Sequence, residues 1–383
     1  IGFIAFIKFL ETPSWKNVTL AGVVLGIAEL LKFSLILLIP LYGILILAWV
    51  FTRPHLHLHE RVSDFFTLAG KTIAMGLIGI FIIWIAYIPL VINYPEEKQY
   101  QDAKFILTSY AVRPLAEFDL TLIQNPITRP MGQYILGLLM VFQRAGGGNT
   151  GYFLGEVSDA GSPIYFPLLY LLKEPLPLHI LTLLALWIGF SHLRRGTLNV
   201  RNLRIRAYEW VYNHFIEFSA LSFIAMYWIS SIMSPLNIGI RHVLPTFPFI
   251  YILVSKKLAE WVEMHIVANP KNMAMTILEL FRRFIFSLPK YGILAVLMFW
   301  FILGTLFSYP HFLSFYNELA GGTRNGHNIA VDSNYDWGQD LLRLRDYVQT
   351  NGIETIAIDY FGGGNLQYYF GEKFIPWQSS KGP

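Results

Sequence analysis

Asn237-Ile238-Gly239-Ile240-Arg241-His242-Val243-Leu244-Pro245 stands between two apolar stretches, 214–233 and 243–254, and its reading decides what the rest of the chain is. A plain lipid-facing turn would avoid charge. A guanidinium at membrane depth is costly unless a partner or water meets it, which makes Arg241 a candidate functional residue. The bland account is that Arg241 snorkels to the headgroups. The sharper one is a cation held at the membrane surface to grip an anionic head such as a lipid phosphate.

Composition supports a membrane setting. Of 383 residues, 54% are hydrophobic and only 14% charged, with mean hydropathy +0.47. Soluble domains carry roughly 25% charged residues, so this chain belongs in a bilayer. A net charge of +4 is too small and too spread out to argue for nucleic acid. The absence of cysteine excludes disulfides and thiolate metal sites. The chain opens at Ile1 inside an apolar run and stops at Pro383 without a terminal signal, so it is expected to be a fragment.

Apolar stretches near membrane length fall at 1–9, 18–31, 35–51, 72–92, 176–193, 214–233, 243–254 and 291–309. Several are shorter than the ~20 residues a crossing helix needs, which predicts breaks or thinning around Lys32 and Pro245. Alternating the spans places 10–17, 52–71, 194–213 and 255–290 on one side, with 15 Lys/Arg and seven acids. The other side, 32–34, 93–175, 234–242 and 310–383, holds 13 Lys/Arg and sixteen acids. The positive-inside rule makes the first set cytoplasmic. Lys32, Lys173, Arg241 and His242 then lie at the outer face.

The expected fold class is an α-helical polytopic membrane protein, a helix bundle over 1–309, with a small extracytoplasmic α/β domain over 310–383. The outer region 93–175 carries Pro95, Pro114, Pro126, Pro130 and Gly146-Gly147-Gly148, with an apolar piece at Tyr134–Phe142 that should lie in the interface. In the tail, Asn328–Asp332 reads as a strand, Gln339–Gln349 as a helix closed by Gly352, and Ile353–Phe361 as a second strand. That β-α-β pattern favours a parallel pair. So small a tail should dock elsewhere, through Trp337 and Tyr368-Tyr369-Phe370.

Several strings resemble the bacterial glycosyltransferase family 39 group of the GT-C superfamily, relatives of protein O-mannosyltransferases and the aminoarabinose transferase. They are Gly151-Tyr-Phe-Leu-Gly155-Glu156, Tyr165-Phe166-Pro167, Leu172-Lys173-Glu174-Pro175, Asn237 to His242, Phe315-Tyr316-Asn317-Glu318-Leu319-Ala-Gly321-Gly322, and Asp332-Ser-Asn-Tyr-Asp336-Trp337-Gly338-Gln339-Asp340. The likeness runs from about residue 10 to 383. It implies transfer of a sugar from a polyprenyl-phosphate donor to a protein, lipid or glycan acceptor on the outer face of the inner or plasma membrane. It also implies direct displacement with inversion. The family's acidic catalytic pair lies in the first outer loop, which would be upstream of Ile1. No catalytic residue is therefore assigned here, and the fragment alone is expected to be inactive.

Gripping a lipid phosphate calls for cations that offset its charge. Arg241, with a planar fork, leads, and His242 could add a donor. Lys32 follows Glu29 by three residues, so the two charges would be neighbours on a helix. Lys173 adjoins Glu174 at the mouth of a span. Glu156, Tyr165, Asp332, Asn334 and Asp336 are candidate contacts for sugar or acceptor. Asp332 and Gly362-Gly363-Gly364 would share the carboxyl edge of the tail sheet, where α/β folds place ligands.

No cofactor is implied with certainty. A divalent metal is possible but not indicated. His55, His57, His59 and Glu60 resemble a metal tract, yet they follow Pro54 in a cytoplasmic loop. Asp332, Asn334, Asp336 and Asp340 match offsets of a calcium loop, but Trp337 and Arg343 occupy the positions that need Gly and Glu. The rival class is a transporter or lipid-binding scaffold, with Lys32 and Arg241 lining a path. Two large outer regions and no paired broken helices argue against it.

Overall fold

The computed structural model describes residues 1–54, 57–194, 200–263 and 273–378. The chain is a helical membrane protein. Four helical segments among the described residues are long and apolar enough to cross a bilayer: Phe33–Thr52, Leu58–Val91, Phe215–Met233 and Met275–Phe307. Tyr165–Lys173 and Leu176–Ser191 meet at 109° and would make a fifth if counted as one broken span.

The first seven helices are α1 (Gly2–Glu11), α2 (Trp15–Leu31), α3 (Leu38–Thr52), α4 (Leu58–Val91), α5 (Glu96–Ile106), α6 (Arg113–Ile123) and α7 (Arg129–Gly147). Then come α8 (Tyr165–Lys173), α9 (Leu176–Arg194), α10 (Val200–Asn213), α11 (Phe215–Met233), α12 (Phe247–Val262) and α13 (Met273–Phe307). The chain breaks at Lys32, whose extended backbone ends α2, and again in the 3₁₀ turns Ile240–His242 and Leu244–Thr246 ahead of α12. These are the breaks that the short apolar stretches demanded. The residues form two compact units. One is Ile1–Gly148 with Leu186–Leu236 and Pro245–Lys257; the other is Asn149–Ala185 with Asn237–Leu244 and Leu258–Pro383.

In the first unit, α2 starts at Ser14, whose hydroxyl accepts the Asn17 amide at 3.3 Å. It then lies directly on α4. A Cβ at Gly22 would stand 2.7 Å from the Met75 carbonyl oxygen, and one at Gly26 2.7 Å from that of Gly79. Small residues one turn apart let two backbones touch, the usual way to gain packing where lipid offers no hydrophobic drive. Beneath them Phe6 stacks on Tyr42 at 3.7 Å, with Phe9, Leu41 and Leu45 fully buried. The histidine tract resolves as a helix start: His57 and Glu60 form a capping box for α4, while His55 lies outside the described residues.

The 93–147 stretch is folded rather than looped. Helices α5, α6 and α7 share a core of Ala103, Leu107, Ala116, Ile123, Leu136 and Leu139. The apolar piece at 134–142 is the middle of α7, with Tyr134, Leu136 and Leu139 buried against protein and Met140, Val141 and Phe142 exposed. Arg129, at the head of α7, donates to Gln99 at 2.9 Å, to Glu96 at 2.9 Å and to the Tyr94 carbonyl at 2.6 Å. Asp119 on α6 is fully buried and neither carboxylate oxygen has a partner among the described residues. Burial pushes its pKa up to about 7.

In the second unit, a hairpin of β1 (Gly151–Phe153) and β2 (Glu156–Ser158) is followed by α8, and the tail carries α14 (Leu341–Thr350), β3 (Ile356–Ile358), α15 (Leu366–Phe370) and β4 (Phe374–Pro376). The expected strand at 328–332 is not formed. Thr323–Asn328 and Asp332–Asn334 are 3₁₀ turns, with one isolated bridge from Ala330 to Phe153. Asp332 sits at φ 57°, a left-handed backbone that cannot continue a strand. The parallel pair exists, but β3 pairs with β4 across α15. Its core is Leu341, Val348, Ile358 and Phe370. Phe370, expected as an outward anchor, is part of that core.

Two outcomes test this packing. Gly26→Ala should lower the melting temperature in detergent markedly, because its methyl group meets backbone. Gly43→Ala, with nothing within 4 Å, should not. Equal effects would mean that α2 and α4 do not touch as described. For Asp119, the folded pKa lies above the ordinary 3.8, so its protonated form is favoured in the fold. That contribution is complete below pH 3.8, declines as the unfolded carboxyl ionises, and is gone above about 7. Asp119→Asn should flatten the slope of melting temperature against pH across that window.

Candidate functional site

The loop at 237–242 is shaped by contacts to the 330s. Gly239 takes φ 95°, and a Cβ there would fall 2.3 Å from the Ser333 hydroxyl. Only glycine fits, both for the backbone and for the space. Ser333 donates to the Ile238 carbonyl at 2.7 Å, and the Ile240 amide donates to Asn334 Oδ1 at 2.9 Å. The Asn334 side chain continues inward, its Nδ2 donating to the Tyr165 hydroxyl at 2.8 Å. Asn334 is wholly buried, so this one amide ties α8 to the arginine loop.

Lys173 anchors the same cluster from the far end of α8. Its ammonium donates to the carbonyls of Leu313 at 3.0 Å, Phe315 at 3.1 Å and Asn334, and lies 4.4 Å from the centre of the Tyr316 ring. An ammonium has three N–H donors, and all three are engaged. Burial holds the Tyr316 hydroxyl above its ordinary pKa, so a neutral ring faces the cation. Asn317 reinforces the junction, donating from Nδ2 to the Leu171 and Glu174 carbonyls at 2.6 and 2.8 Å. Lys173 thus holds the cluster together.

Arg241 is different. It is exposed, its Nε donates to the Ile238 carbonyl at 3.2 Å, and its guanidinium lies 3.9 Å over the Trp337 ring. Among the described residues it forms no ion pair, and both terminal nitrogens remain without a hydrogen-bond partner. Trp337 meets Phe361 edge to face at 5.5 Å, and a Cβ on the next residue, Gly338, would fall 2.8 Å from the Gly362 Cα. His242 packs its ring 5.6 Å from Phe166. Asp332 and Arg241 both act electrostatically on the Tyr165 hydroxyl, so the three share one neighbourhood. Asn237, at the start of the loop, buries an Oδ1 with no donor.

The remaining candidates sit less centrally. Asp336 Oδ1 accepts the Gly338 amide at 2.8 Å and closes a turn. Asp340 pairs with Arg343, so the calcium-loop residues do not converge. No group of three or more metal-binding side chains occurs among the described residues. Glu156 is exposed on β2. In that hairpin the Leu154 amide donates to the Ile329 carbonyl at 2.9 Å, and Phe153 lies edge-on to Tyr165 at 5.1 Å.

Lys32 belongs to the first unit. Its Nζ lies 3.4 Å from the Tyr227 hydroxyl, which also bonds Ser34 at 3.1 Å. The expected Glu29–Lys32 neighbouring is corrected. Lys32 leaves the helix at its C-cap, while Glu29 turns inward to the Tyr134 hydroxyl at 3.2 Å. Sequence reasoning missed Ser333, Asn317 and the partnership of Trp337 with Arg241. The only sequence signal was that all three lie within the strings quoted for the family resemblance.

Comparison of the chain with protein-family models, with curated proteins and with solved structures found no match. The case for this cluster therefore rests on its own geometry. Asn334→Ala should leave the Ile240 amide without its acceptor, at roughly 1–3 kcal/mol. Hydrogen exchange at 238–242 should rise sharply, with Asn334→Asp intermediate because it keeps the acceptor. Unchanged protection at Ile240 in the alanine variant would show that the bridge does not hold the loop.

Proposed function

We propose that the chain is part of a membrane glycosyltransferase of the family 39, GT-C type, which moves a sugar from a polyprenyl-phosphate donor to an acceptor on the outer face. The observation that carries this reading is Arg241: an exposed guanidinium, braced by Trp337 and the Ile238 carbonyl, whose terminal nitrogens have no partner among the described residues. That fork suits two oxygens of one phosphate. In this reading the donor phosphate meets Arg241, with His242 beside it. Lys173 keeps the site in shape. Asp332, Asp336 and Glu156 form the sugar and acceptor side, the buried Tyr165 and Asn334 support it from within, and the 310–383 tail lies outside the membrane.

No residue of this chain is assigned the role of base. As the donor departs, Arg241 would stabilise the charge gathering on its phosphate, which is where electrostatic help counts most. The test is binding. The protein in neutral-detergent micelles should retain a polyprenyl phosphate but not the matching polyprenol, read by native mass spectrometry. Arg241→Leu should weaken that binding by roughly tenfold or more, and Arg241→Lys should fall between, since a point charge does not replace a fork. Equal retention of polyprenol, or full affinity in the leucine variant, would sink the reading and leave only snorkelling.

A further inference from the structure

One helix of the first unit turns an apolar face away from the protein at the edge of the membrane. Helix α10 ends at Asn213, and His214, with φ −126° and ψ 44°, breaks it from α11. Phe215, the first residue of α11, meets Trp49 near the end of α3 at 4.7 Å, edge to face. The apolar spans Phe33–Thr52 and Phe215–Met233 therefore finish at one level, where a headgroup layer begins. Helix α10 stays at that level, because it packs against α3 and Val211 joins the core that holds Phe215.

The opposite face of α10 is uncovered. Ile205, Tyr208 and Tyr212 are 46%, 47% and 42% exposed and stand at i, i+3 and i+7, one stripe of a helix. Arg204 borders the stripe. It is exposed, its guanidinium carbon lies 5.9 Å from the centre of the Tyr208 ring one turn on, and it forms no ion pair among the described residues. Glu209 stands three residues from Arg206, as a neighbour on the helix, but five from Arg204. Glu217, at the start of α11, pairs with Lys256. Over 194–213 the sequence holds five arginines and one acid.

We propose that this face of α10 docks on anionic phospholipid headgroups, with Arg204 on a phosphate and Ile205, Tyr208 and Tyr212 at the acyl boundary. Amphipathic helices that lie in a headgroup layer combine these elements: rings and aliphatic groups inward, basic groups on the lipid charge. Charge complementarity favours lipid over a second copy of the chain, since a two-fold contact through this face would set arginine against arginine. The surface is independent of Arg241, and so is its test.

The chain has no cysteine, so Tyr208→Cys can carry a single nitroxide label. In nanodiscs containing phosphatidylglycerol, oxygen should relax that label and a water-soluble nickel chelate should not. In micelles holding equal parts of phosphatidylglycerol and phosphatidylcholine, the unaltered protein should retain phosphatidylglycerol preferentially, read by native mass spectrometry. Arg204→Gln should reduce the preference about fivefold, the ~1 kcal/mol of one basic residue at an anionic surface, and Arg204→Lys should keep most of it. The same loss should appear in an Arg241→Leu background, which separates this surface from the donor site. Both side chains are exposed, so neither change disturbs the core. Relaxation by the nickel chelate would put the stripe in water, and spin–spin broadening would show a second copy covering it. Either result overturns the proposal, as does an undiminished phosphatidylglycerol preference in Arg204→Gln.

Discussion

A buried amide must find hydrogen-bond partners, and Asn334 finds them in segments far apart in the chain. Its oxygen takes the Ile240 amide, its nitrogen gives to Tyr165, and its backbone carbonyl receives Lys173. Without the side chain the half-buried Ile240 amide would lose its acceptor, and such losses are asymmetric: a missing partner destabilises more than a formed bond gains. The arginine loop, the start of α8 and its end are therefore fixed by one residue. Gly239 is the corresponding constraint on the backbone, since any Cβ would occupy the place of the Ser333 hydroxyl.

Legibility followed range. The spans at 35–51, 72–92, 214–233 and 291–309 could be read because hydropathy is local, and the breaks at Lys32 and ahead of α12 because a helix shorter than the bilayer must end somewhere. The parallel pair in the tail was legible as a kind and not as a place. Asp332 takes a left-handed backbone that stops the first strand, and β4, past α15, supplies the partner instead. Helices α5 to α7 were hidden by their prolines and charges, which mark helix starts and a buried arginine network rather than a loop. The members of the cluster around Asn334 were nominated, but the bonds that join them could not be read. They join residues 165, 240 and 334, and no periodicity spans such distances.

Glu29 and Lys32 show how one residue of backbone geometry changes an electrostatic reading. Three residues apart on a helix they would neutralise one another. The extended backbone at Lys32 ends the helix, so the carboxyl is buried against Tyr134 and the ammonium turns to Tyr227. The charge at the break is thereby left for another partner.

Arg241 and Lys173 were nominated on the same grounds, as cations near the ends of membrane spans. Their surroundings separate them. An ammonium enclosed by three carbonyls has no donor left for a ligand, and displacing any of those bonds would expose a buried acceptor. A guanidinium braced on an indole keeps its orientation through the ring and one carbonyl while its two terminal nitrogens have no partner among the described residues. Binding an anion there requires little reordering, because the side chain is already held. Preorganisation of this kind reduces the entropic cost of binding. The sequence nominated both residues by their place beside apolar spans, but the count of engaged donors separates a cation spent on structure from one with donors to spare among the described residues.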